Sequence, residues 1–430
     1  MDSTPIKDIY QKFKACSSVS TDTRKLDKDC LFVALKGPNF DGNKFAEKAL
    51  EEGAKYALVS DEELAKHDKC IYVTDTLVAL QQLANHHRHH FSIPVLGITG
   101  SNGKTTTKEL IREVLQKKFK VYATEGNLNN HIGVPLTILN APEGIEILVV
   151  EMGANQIDDI KELCEIAEPT HGLITNIGKA HLAGFGGADG VLRAKSQLYN
   201  WLLEHEGIPF TNSRDPKLMN MARRFVQAIT YPDADDFYNC ELLEADPFVE
   251  LKAENGEVVK SQLLGVYNFP NVAAALCIGK YFKVDDKAAN EAISQYVPGN
   301  NRSQVINKDS NMIILDAYNA NPTSMKAALE SFANLRKPNK VVILGDMNEL
   351  GDDSFEEHHD MGRLIAQLKF DKVILCGQQM MAALDNNQSA AHFESTDGLL
   401  AYLKTKEFKD SAILVKGSRS IKLEQVVDVL

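Results

Sequence analysis

The stretch Val95-Leu-Gly-Ile-Thr-Gly-Ser-Asn-Gly-Lys-Thr105 decides how the chain around it folds. It begins as an apolar strand and continues as a glycine-rich loop, and residues 106–117 have the pattern of a helix. In a strand–loop–helix unit of this kind, the loop amides and the helix N-terminus can hold phosphate groups. Lys104 is expected to reach the β and γ phosphates of a nucleotide, and the Thr105 hydroxyl to bind Mg²⁺. The glycine spacing is one residue longer than in the usual loop of this type.

Apolar strand-like runs alternate with helical segments on both sides of this loop. Residues 1–90 predict a small N-terminal α/β domain. Residues 91–299 predict a central parallel-sheet domain that carries the phosphate loop, with an antiparallel excursion between residues 237 and 264. After the turn cluster Pro298-Gly-Asn-Asn301, the pattern restarts, and residues 300–430 predict a C-terminal, Rossmann-like, doubly wound domain. The predicted fold class is therefore α/β with three domains.

The bulk composition limits the classes of function. The chain has 430 residues, of which 44% are hydrophobic and 25% charged, as in ordinary soluble globular proteins. Its net charge of -12 argues against broad binding to nucleic acid or to anionic lipid. The seven cysteines are scattered and form no C-x-x-C pair, which indicates free thiols in a reducing compartment. Because no apolar run approaches the ~20 residues of a membrane span, we expect a soluble, cytoplasmic protein.

Three polar side chains are candidates for a metal-binding or catalytic role beside the loop. Glu151 ends an apolar strand, where a carboxylate would face the ligand crevice of a parallel sheet and could bind Mg²⁺. A solvated glutamate at a strand end is the alternative. His181 follows another strand, but Mg²⁺ prefers oxygen ligands, so a core or second-layer histidine is an equal interpretation. Lys195 lies on a predicted helix, where a solvated lysine is the default interpretation.

Several segments, taken together, resemble the Mur ligase family of peptidoglycan synthesis. The phosphate loop, Glu151-Met-Gly153, the run from Asn176 to His181, and Lys195 resemble the central domain of that family. Further segments resemble the branch that adds a dipeptide: Asp316-Ala-Tyr-Asn-Ala-Asn-Pro322, Leu344-Gly-Asp-Met-Asn-Glu-Leu-Gly351, Val415-Lys-Gly-Ser-Arg419, Gly126-Asn-Leu-Asn-Asn130, Gly133-Val-Pro-Leu136, Thr21-Asp-Thr-Arg24, Leu35-Lys-Gly37 and Phe40-Asp-Gly42. The resemblance covers nearly the whole chain in order. The run Tyr318-Asn-Ala-Asn-Pro322 is specific, whereas the phosphate loop alone is not.

The resemblance implies roles for individual residues. The implied ATP-binding residues are Gly100, Ser101, Asn102, Gly103, Lys104, Thr105, Thr106, Asn268, Asn271, Arg302 and Asp316. The implied substrate-binding residues are Asp22, Thr23, Arg24, Asp41, Asn127, Asn130, Asn319 and Asn321. The implied Mg²⁺ ligands are Thr105, Glu151, His181 and a carbamoylated Lys195. Lys104, Glu151, His181 and Lys195 are the implied catalytic residues. The sequence departs from the family pattern at Asn301, Ala183 and Gln197, where a glycine and two glutamates are usual.

The resemblance also implies a reaction. A member of this branch uses ATP and two Mg²⁺ ions to join D-alanyl-D-alanine to UDP-N-acetylmuramoyl-tripeptide through an acyl phosphate. We then expect a monomeric enzyme with these two small-molecule partners, no nucleic-acid partner and no membrane span. Another amide ligase of the Mur or folylpolyglutamate type is the alternative enzyme. A P-loop nucleotide-binding switch or scaffold is the alternative of a different class.

Overall fold

The computed structural model of the chain describes residues 2–179, 182–299 and 301–430. It contains three α/β regions in chain order, each built around its own main sheet. This is the arrangement that the alternation of strands and helices predicts. No helix among the described residues is both long and apolar enough to cross a membrane.

The N-terminal region is a four-stranded parallel sheet with strand order β1-β2-β5-β6 and a small separate hairpin, β3-β4. Its strands are β1 (Val19–Ser20), β2 (Leu31–Val33), β3 (Lys36–Gly37), β4 (Phe40–Asp41), β5 (Tyr56–Val59) and β6 (Cys70–Tyr72). Its helices are α1 (Ile6–Phe13), α2 (Ala46–Glu51) and α3 (Thr76–Arg88). Strand β2 is buried throughout, as expected for a central strand with covered faces.

The middle region is a six-stranded parallel sheet. The strand that precedes the phosphate loop is an internal strand of this sheet. Its order is β12-β11-β10-β7-β9-β8. The strands are β7 (Val95–Thr99), β8 (Val121–Ala123), β9 (Ile147–Glu151), β10 (His171–Ile174), β11 (Ile208–Asn212) and β12 (Ile229–Tyr231). The helices are α4 (Lys104–Gln116), α5 (Gly133–Leu139), α6 (Asp159–Ala167), α7 (Leu182–Phe185), α8 (Ala188–Glu204), α9 (Pro216–Ala222), α10 (Phe269–Tyr281) and α11 (Asp286–Gln295). Strands β9 and β10 flank β7, so their carboxyl ends lie on either side of the loop.

The predicted antiparallel excursion is a three-stranded sheet in the middle region. Its strands, in the order β13-β14-β15, are β13 (Glu241–Ala245), β14 (Phe248–Lys252) and β15 (Val258–Leu264). Alternate residues of β15 are buried and exposed, the pattern of a strand with one solvated face.

The C-terminal region is a six-stranded sheet with the order β16-β17-β21-β18-β19-β20. Its strands are β16 (Gln304–Lys308), β17 (Asn311–Asp316), β18 (Lys340–Gly345), β19 (Lys372–Cys376), β20 (Ala391–Phe393) and β21 (Ala412–Lys416). Its helices are α12 (Pro322–Asn334), α13 (Ser354–Leu368) and α14 (Thr396–Leu403). Only the pairing of β16 with β17 is antiparallel among the strand pairs of this sheet in the described residues.

Two helices that carry site residues begin earlier than their patterns predict. Helix α4 starts at Lys104, because Gly103 adopts a left-handed conformation and acts as its N-cap. Helix α8 starts at Ala188, whereas the apolar pattern begins at Val191. In both cases the first residues lack large apolar side chains, so the helix extends beyond the part that periodicity detects.

Candidate active site

The glycines of the phosphate loop are required by both conformation and space. Gly100 has φ +143°, and a Cβ there would lie 2.0 Å from Thr175 Oγ1. Gly103 has φ +79°, and a Cβ there would lie 2.8 Å from Asn271 Oδ1. Any residue other than glycine is strained at such φ values, and here its Cβ would also collide with Thr175 or Asn271. The loop therefore approaches the end of β10 and the start of α10 more closely than any other residue type would allow.

The end of β10 holds the loop in this shape. The Ser101 N–H donates to the carbonyl oxygen of Asn176 at 3.0 Å, and the Asn102 N–H donates to Asn176 Oδ1 at 3.1 Å. The Ser101 hydroxyl donates to the carbonyl oxygen of Gly178 at 3.0 Å. The Thr175 hydroxyl donates to the carbonyl oxygen of Asn102 at 2.6 Å. These bonds pre-organise the loop before any phosphate binds.

Lys104 is a half-buried cation at the start of α4. Its Nζ donates to the carbonyl oxygen of Gly100 at 2.8 Å. Burial lowers the pKa of Lys104, and Arg302 lowers it further, whereas Glu151 and Glu349 oppose this shift. Two cations that repel each other across one cavity are favourably placed to share an anion.

Glu151 lies at the end of β9. One of its carboxylate oxygens accepts hydrogen bonds, and the other accepts none from the described residues. The side chain is 1% exposed. Its Oε1 accepts hydrogen bonds from the Thr105 hydroxyl at 3.1 Å and from Asn129 Nδ2 at 2.8 Å. Its Oε2 is buried, and no hydrogen-bond partner reaches it from the part of the chain that the structure describes. A buried carboxylate oxygen of this kind suits a divalent cation. The solvated interpretation of Glu151 is therefore wrong.

The donor set suits Mg²⁺ better than a transition metal. The described residues contain no group of three or more His, Cys, Asp or Glu side chains that could hold a metal ion. Mg²⁺ is commonly bound by one or two carboxylates together with substrate phosphates and water, and Glu151 with the Thr105 hydroxyl fits that pattern. His181, the other metal-ligand candidate of this strand-end region, lies outside the described residues.

Lys195 is almost completely buried, so its interpretation as a solvated lysine is wrong. It is 1% exposed, and its Nζ lies 5.5 Å from the centroid of the Phe185 ring. Its pKa is well below the usual value because of burial and then the nearby positive charge of Lys104, whereas Asp159 opposes the shift. The physical reason is helical periodicity: Lys195 shares the buried face of α8 with Val191, Ala194 and Leu198. Lys195 itself does not line the open cavity described next.

A cavity of about 730 Å³ lies at the phosphate loop, between the middle and C-terminal regions. The candidate residues that line it are Ser101, Asn102, Gly103, Lys104, Thr105, Thr106, Asn127, Asn130, Glu151, Asn268, Asn271, Arg302, Asp316, Asn319 and Asn321. Gly100, although part of the loop, does not line the cavity. The cavity thus brings the implied nucleotide-binding residues of two regions to one place.

The C-terminal wall of this cavity combines residues from just before β16, from the ends of β17 and β21, and from the segment that follows β17. The Arg302 guanidinium lies over the Tyr318 ring, 3.7 Å from its centroid. Asp316 forms an ion pair with the buried ammonium of Lys416. The Asn321 side chain caps α12 by accepting from the Ser324 N–H at 2.9 Å.

Direct contacts join this wall to the middle region. Asn321 Nδ2 donates to Asn102 Oδ1 at 2.8 Å, so the same amide that caps α12 also contacts the phosphate loop. The Lys179 N–H donates to Thr323 Oγ1 at 2.9 Å, and Lys179 Nζ forms an ion pair with Glu357. The two regions therefore meet at the loop itself.

Four candidate residues of the N-terminal region do not line this cavity. They are Asp22, Thr23, Arg24 and Asp41. Asp22 and Arg24 bind each other, and this contact lowers the pKa of the Asp22 carboxyl to about 2. The Asp41 side chain accepts from the Asn43 N–H at 3.0 Å and caps the turn that follows β4. The structure thus separates these residues from the nucleotide-binding candidates.

Other cavity-lining side chains were not singled out from the sequence. They are Asn129, His131, Asn155, Gln156, Asp159, Glu162, Asn176, Tyr267, Ser303, Tyr318, Thr323, Ser324, Glu349 and Lys416. Several of them lie inside segments that carry the family resemblance, as Asn129, Tyr318 and Lys416 do. Their position in those segments was the one signal in the sequence that could have identified them. It does not show which side chains point toward the cavity.

Family profiles match most of the chain. A profile described as the catalytic domain of the Mur ligase family matches residues 16–88. The Mur ligase middle domain matches residues 98–279, and the Mur ligase glutamate ligase domain matches residues 301–419.

Curated relatives and solved structures agree with these profiles. The UDP-N-acetylmuramoyl-tripeptide–D-alanyl-D-alanine ligase of Bacillus subtilis is 37% identical, covering 95% of this chain and 92% of the relative. That of Escherichia coli is 36% identical, covering 96% and 93%. A crystal structure of MurF from Acinetobacter baumannii superposes with a TM-score of 0.86 at 30% identity, covering 100% of this chain and 98% of that one. The MurF ligase of Thermotoga maritima in complex with ADP gives 0.84 at 28% identity, covering 97% of each chain. The three-domain α/β fold and the predicted resemblance are confirmed, and the chain belongs to the Mur ligase family.

Proposed function

We propose that the chain is an ATP-dependent ligase that joins D-alanyl-D-alanine to the terminal carboxylate of UDP-N-acetylmuramoyl-tripeptide. The observation that carries this proposal is the shared cavity, where Lys104 and Glu151 of the middle region face Arg302 of the C-terminal region. The relatives from B. subtilis and E. coli are named for this reaction, and the T. maritima relative binds ADP. At least 95% of the chain aligns with each of them.

The chemistry requires an activated carboxylate. A carboxylate oxygen of the tripeptide attacks the γ phosphorus of ATP, the bond to the β-phosphate oxygen breaks, and ADP leaves. The amine of the dipeptide then attacks the acyl phosphate, forms the amide and releases inorganic phosphate and a proton. Both reactants of the first step are anions, so Lys104 and Arg302 lower the barrier by neutralising their repulsion.

We propose that the nucleotide occupies the part of the cavity at the start of α4. The phosphates would lie on the loop and between Lys104 and Arg302, because these cations face the same space. The remaining proposed contacts are to the adenine and ribose, from Asn268, Asn271 and Asp316. Asn271 Nδ2 donates to Asn268 Oδ1 at 2.8 Å, and this bond orients the Asn271 amide beside Gly103.

Two Mg²⁺ ions would be held by Thr105, Glu151, His181 and Lys195. Bound Mg²⁺ supplies positive charge that offsets the charge developing on the transferring phosphoryl group. For Lys195 we propose carbamoylation, because its low pKa leaves a neutral amine that can add carbon dioxide. A nitrogen–carbon bond forms and a proton is released, so the product is an anionic oxygen ligand in place of a neutral amine, which matches the oxygen preference of Mg²⁺.

We propose that Asp22, Thr23, Arg24 and Asp41 bind the UDP end of the acceptor, outside the cavity at the phosphate loop. UDP-N-acetylmuramoyl-tripeptide is a long substrate, with its reacting carboxylate at one end and its UDP group at the other. Its length supports separate binding sites for the two ends. Asn127 and Asn130 would contact the same substrate near the middle region, and Asn319 and Asn321 the incoming dipeptide. Domain boundaries at 1–90, 91–299 and 300–430 are supported by two gaps between elements: from the end of α3 at Arg88 to the start of β7 at Val95, and from the end of α11 at Gln295 to the start of β16 at Gln304.

The test is release of ADP and phosphate by the purified chain with UDP-N-acetylmuramoyl-tripeptide and Mg²⁺. We expect turnover when D-alanyl-D-alanine is the amine, and none with glutamate or diaminopimelate. Turnover with either of those amines would instead indicate another amide ligase of the family. Nucleotide binding without turnover under any of these conditions would indicate a switch or scaffold. Tripeptides that end in lysine or in diaminopimelate should be compared in the same assay.

A further inference from the structure

Asn129 is fastened to the end of β9 by both its backbone and its side chain. Its carbonyl oxygen accepts from the Gly153 N–H at 2.7 Å, and its Nδ2 donates to Glu151 Oε1 at 2.8 Å. A Cβ on Gly153 would lie 2.8 Å from Asn129 Oδ1, so the amide is packed directly against the strand end. The segment that carries Asn129 is thereby fixed to the strand that carries Glu151.

The backbone of Glu151 is held from the same side. The Glu151 N–H donates to Thr124 Oγ1 at 3.0 Å, and the carbonyl oxygen of Thr124 accepts from Lys108 Nζ. Lys108 is a fully buried lysine on α4, four residues after Lys104. The position of Glu151 is thus set by residues that precede and follow β8, while Asn129 sets the orientation of its carboxylate.

The two groups that donate to Glu151 Oε1 differ in whether they can also bind a cation. The Thr105 hydroxyl oxygen is itself a proposed Mg²⁺ ligand, whereas an amide N–H donor has no affinity for a cation. Asn129 is therefore the donor whose only function at this carboxylate is to hold it. With Oε1 held by Asn129, the buried Oε2, which accepts no hydrogen bond from any residue that the structure describes, remains available.

We propose that Asn129 is a positioning residue that orients Glu151 so that Oε2 binds a divalent cation. This inference rests on the proposed function, because it takes Glu151 as a Mg²⁺ ligand. Outer partners of metal ligands typically change metal affinity about 10- to 100-fold when removed. Asn129→Ala should therefore weaken cation binding while it leaves the protein folded, since Asn129 is half-buried in a loop outside the core.

The experiment measures binding rather than turnover. A fluorescent ATP analogue is titrated into the full chain at a series of Mg²⁺ concentrations, and the Mg²⁺ concentration for half-maximal binding is determined. We expect Asn129→Ala to raise it about tenfold or more, with unchanged binding of the analogue in EDTA. Asn387→Ala is the matched control. It removes an amide that donates to the carbonyl oxygens of Gly362 and Ala383 in the C-terminal region and does not line the cavity, so it should leave the Mg²⁺ dependence unchanged.

Glu151→Gln separates this inference from the proposed function. It should raise the Mg²⁺ requirement at least as much as Asn129→Ala, and the double variant should resemble Glu151→Gln alone, because Asn129 acts through Glu151. If Glu151→Gln shifts the requirement and Asn129→Ala stays within twofold of the parent, the positioning role is wrong. It is also wrong if the two effects add in full. If Glu151→Gln changes nothing, the proposed cation site itself fails, and the role of Asn129 with it. Asn129→Ser, which also lacks the amide donor, provides the same comparison if the alanine variant does not fold.

Discussion

The guanidinium of Arg302 stacks on the ring of Tyr318, with 3.7 Å between its central carbon and the ring centroid. Arg302 precedes β16 and Tyr318 follows β17, and these two strands are antiparallel neighbours. The stacked face of a guanidinium leaves its N–H edge free to donate, which is the edge that phosphate oxygens bind. Tyr318 therefore determines the direction in which Arg302 can donate hydrogen bonds to an anion that it shares with Lys104.

Replacement of Tyr318 by leucine should weaken the use of ATP. A cation–π contact of this kind contributes about 1 kcal/mol, so we expect kcat/KM for ATP to fall about fivefold. Tyr318→Phe keeps the ring face and should stay near the parent value. Steady-state kinetics with ATP as the varied substrate make the comparison. Equal losses in the two variants would show that the hydroxyl, and not the ring face, matters.

Lys195→Ala should abolish most ATP turnover. The variant lacks the amine that we propose is carbamoylated, and the resulting loss of metal-ligand charge should lower the rate by about 100-fold or more. Added short-chain carboxylates should restore part of the rate by entering the vacated space. The control is Lys287→Ala, which removes an exposed lysine of α11. A Lys195→Ala enzyme with parental turnover would contradict the proposed metal site.

Gly103→Ala should impair nucleotide binding more than it impairs folding. The new Cβ would meet Asn271 Oδ1 at 2.8 Å in a left-handed conformation, so the loop must distort. We expect a stability loss of about 1–2 kcal/mol and at least about tenfold weaker binding of ATP, measured by thermal unfolding and calorimetry. Gly256→Ala is the matched control, because Gly256 also has a positive φ, +86°, but its Cβ would meet open space. If both variants bind ATP equally well, close packing of the loop is not required.

The fold could be predicted because its strands are short apolar runs separated by turns. The runs that begin at Val95, Ile147 and Ala412 became the strands β7, β9 and β21, all fully buried. A fully buried parallel strand has no polar face, so its composition alone identifies it. Helix starts were predicted less well, since the first residues of α4 and α8 lack large apolar side chains.

The site could be predicted only in part, for reasons that differ by residue. The phosphate loop has a local pattern, because its conformation depends on its own glycines. Burial of Lys195 could have been inferred from its position on the apolar face of α8, but the low frequency of buried lysines favoured the opposite interpretation. The hydrogen bond between Asn129 and Glu151 joins segments that are not adjacent in sequence, and it depends on the pairing of β8 with β9. No local pattern encodes such a contact.

The stability of the chain should fall as the pH falls below neutral, and His171 should cause part of that loss. His171 lies on β10, packs against Phe210, Tyr281 and Phe282, and bonds through Nε2 to the Tyr281 hydroxyl at 3.2 Å. Burial lowers its pKa from 6.5 to about 4. Between these two values the unfolded chain binds a proton that the folded chain does not, so the free energy of unfolding decreases as the pH decreases.

His171→Phe keeps an aromatic ring in this cluster and removes the titrating group, so it tests that contribution. Its thermal unfolding midpoint should change less than that of the parent between about pH 7.5 and about pH 5. The difference between the two proteins should correspond to about 1–2 kcal/mol in the free energy of unfolding. Some pH dependence should remain, because burial also lowers the pKa of His87 to about 4. His67→Gln removes an exposed histidine and should retain the parental pH dependence. A His171→Phe variant with the full parental dependence would mean that His171 is protonated in the folded state, in which case its neighbours must accommodate a buried positive charge.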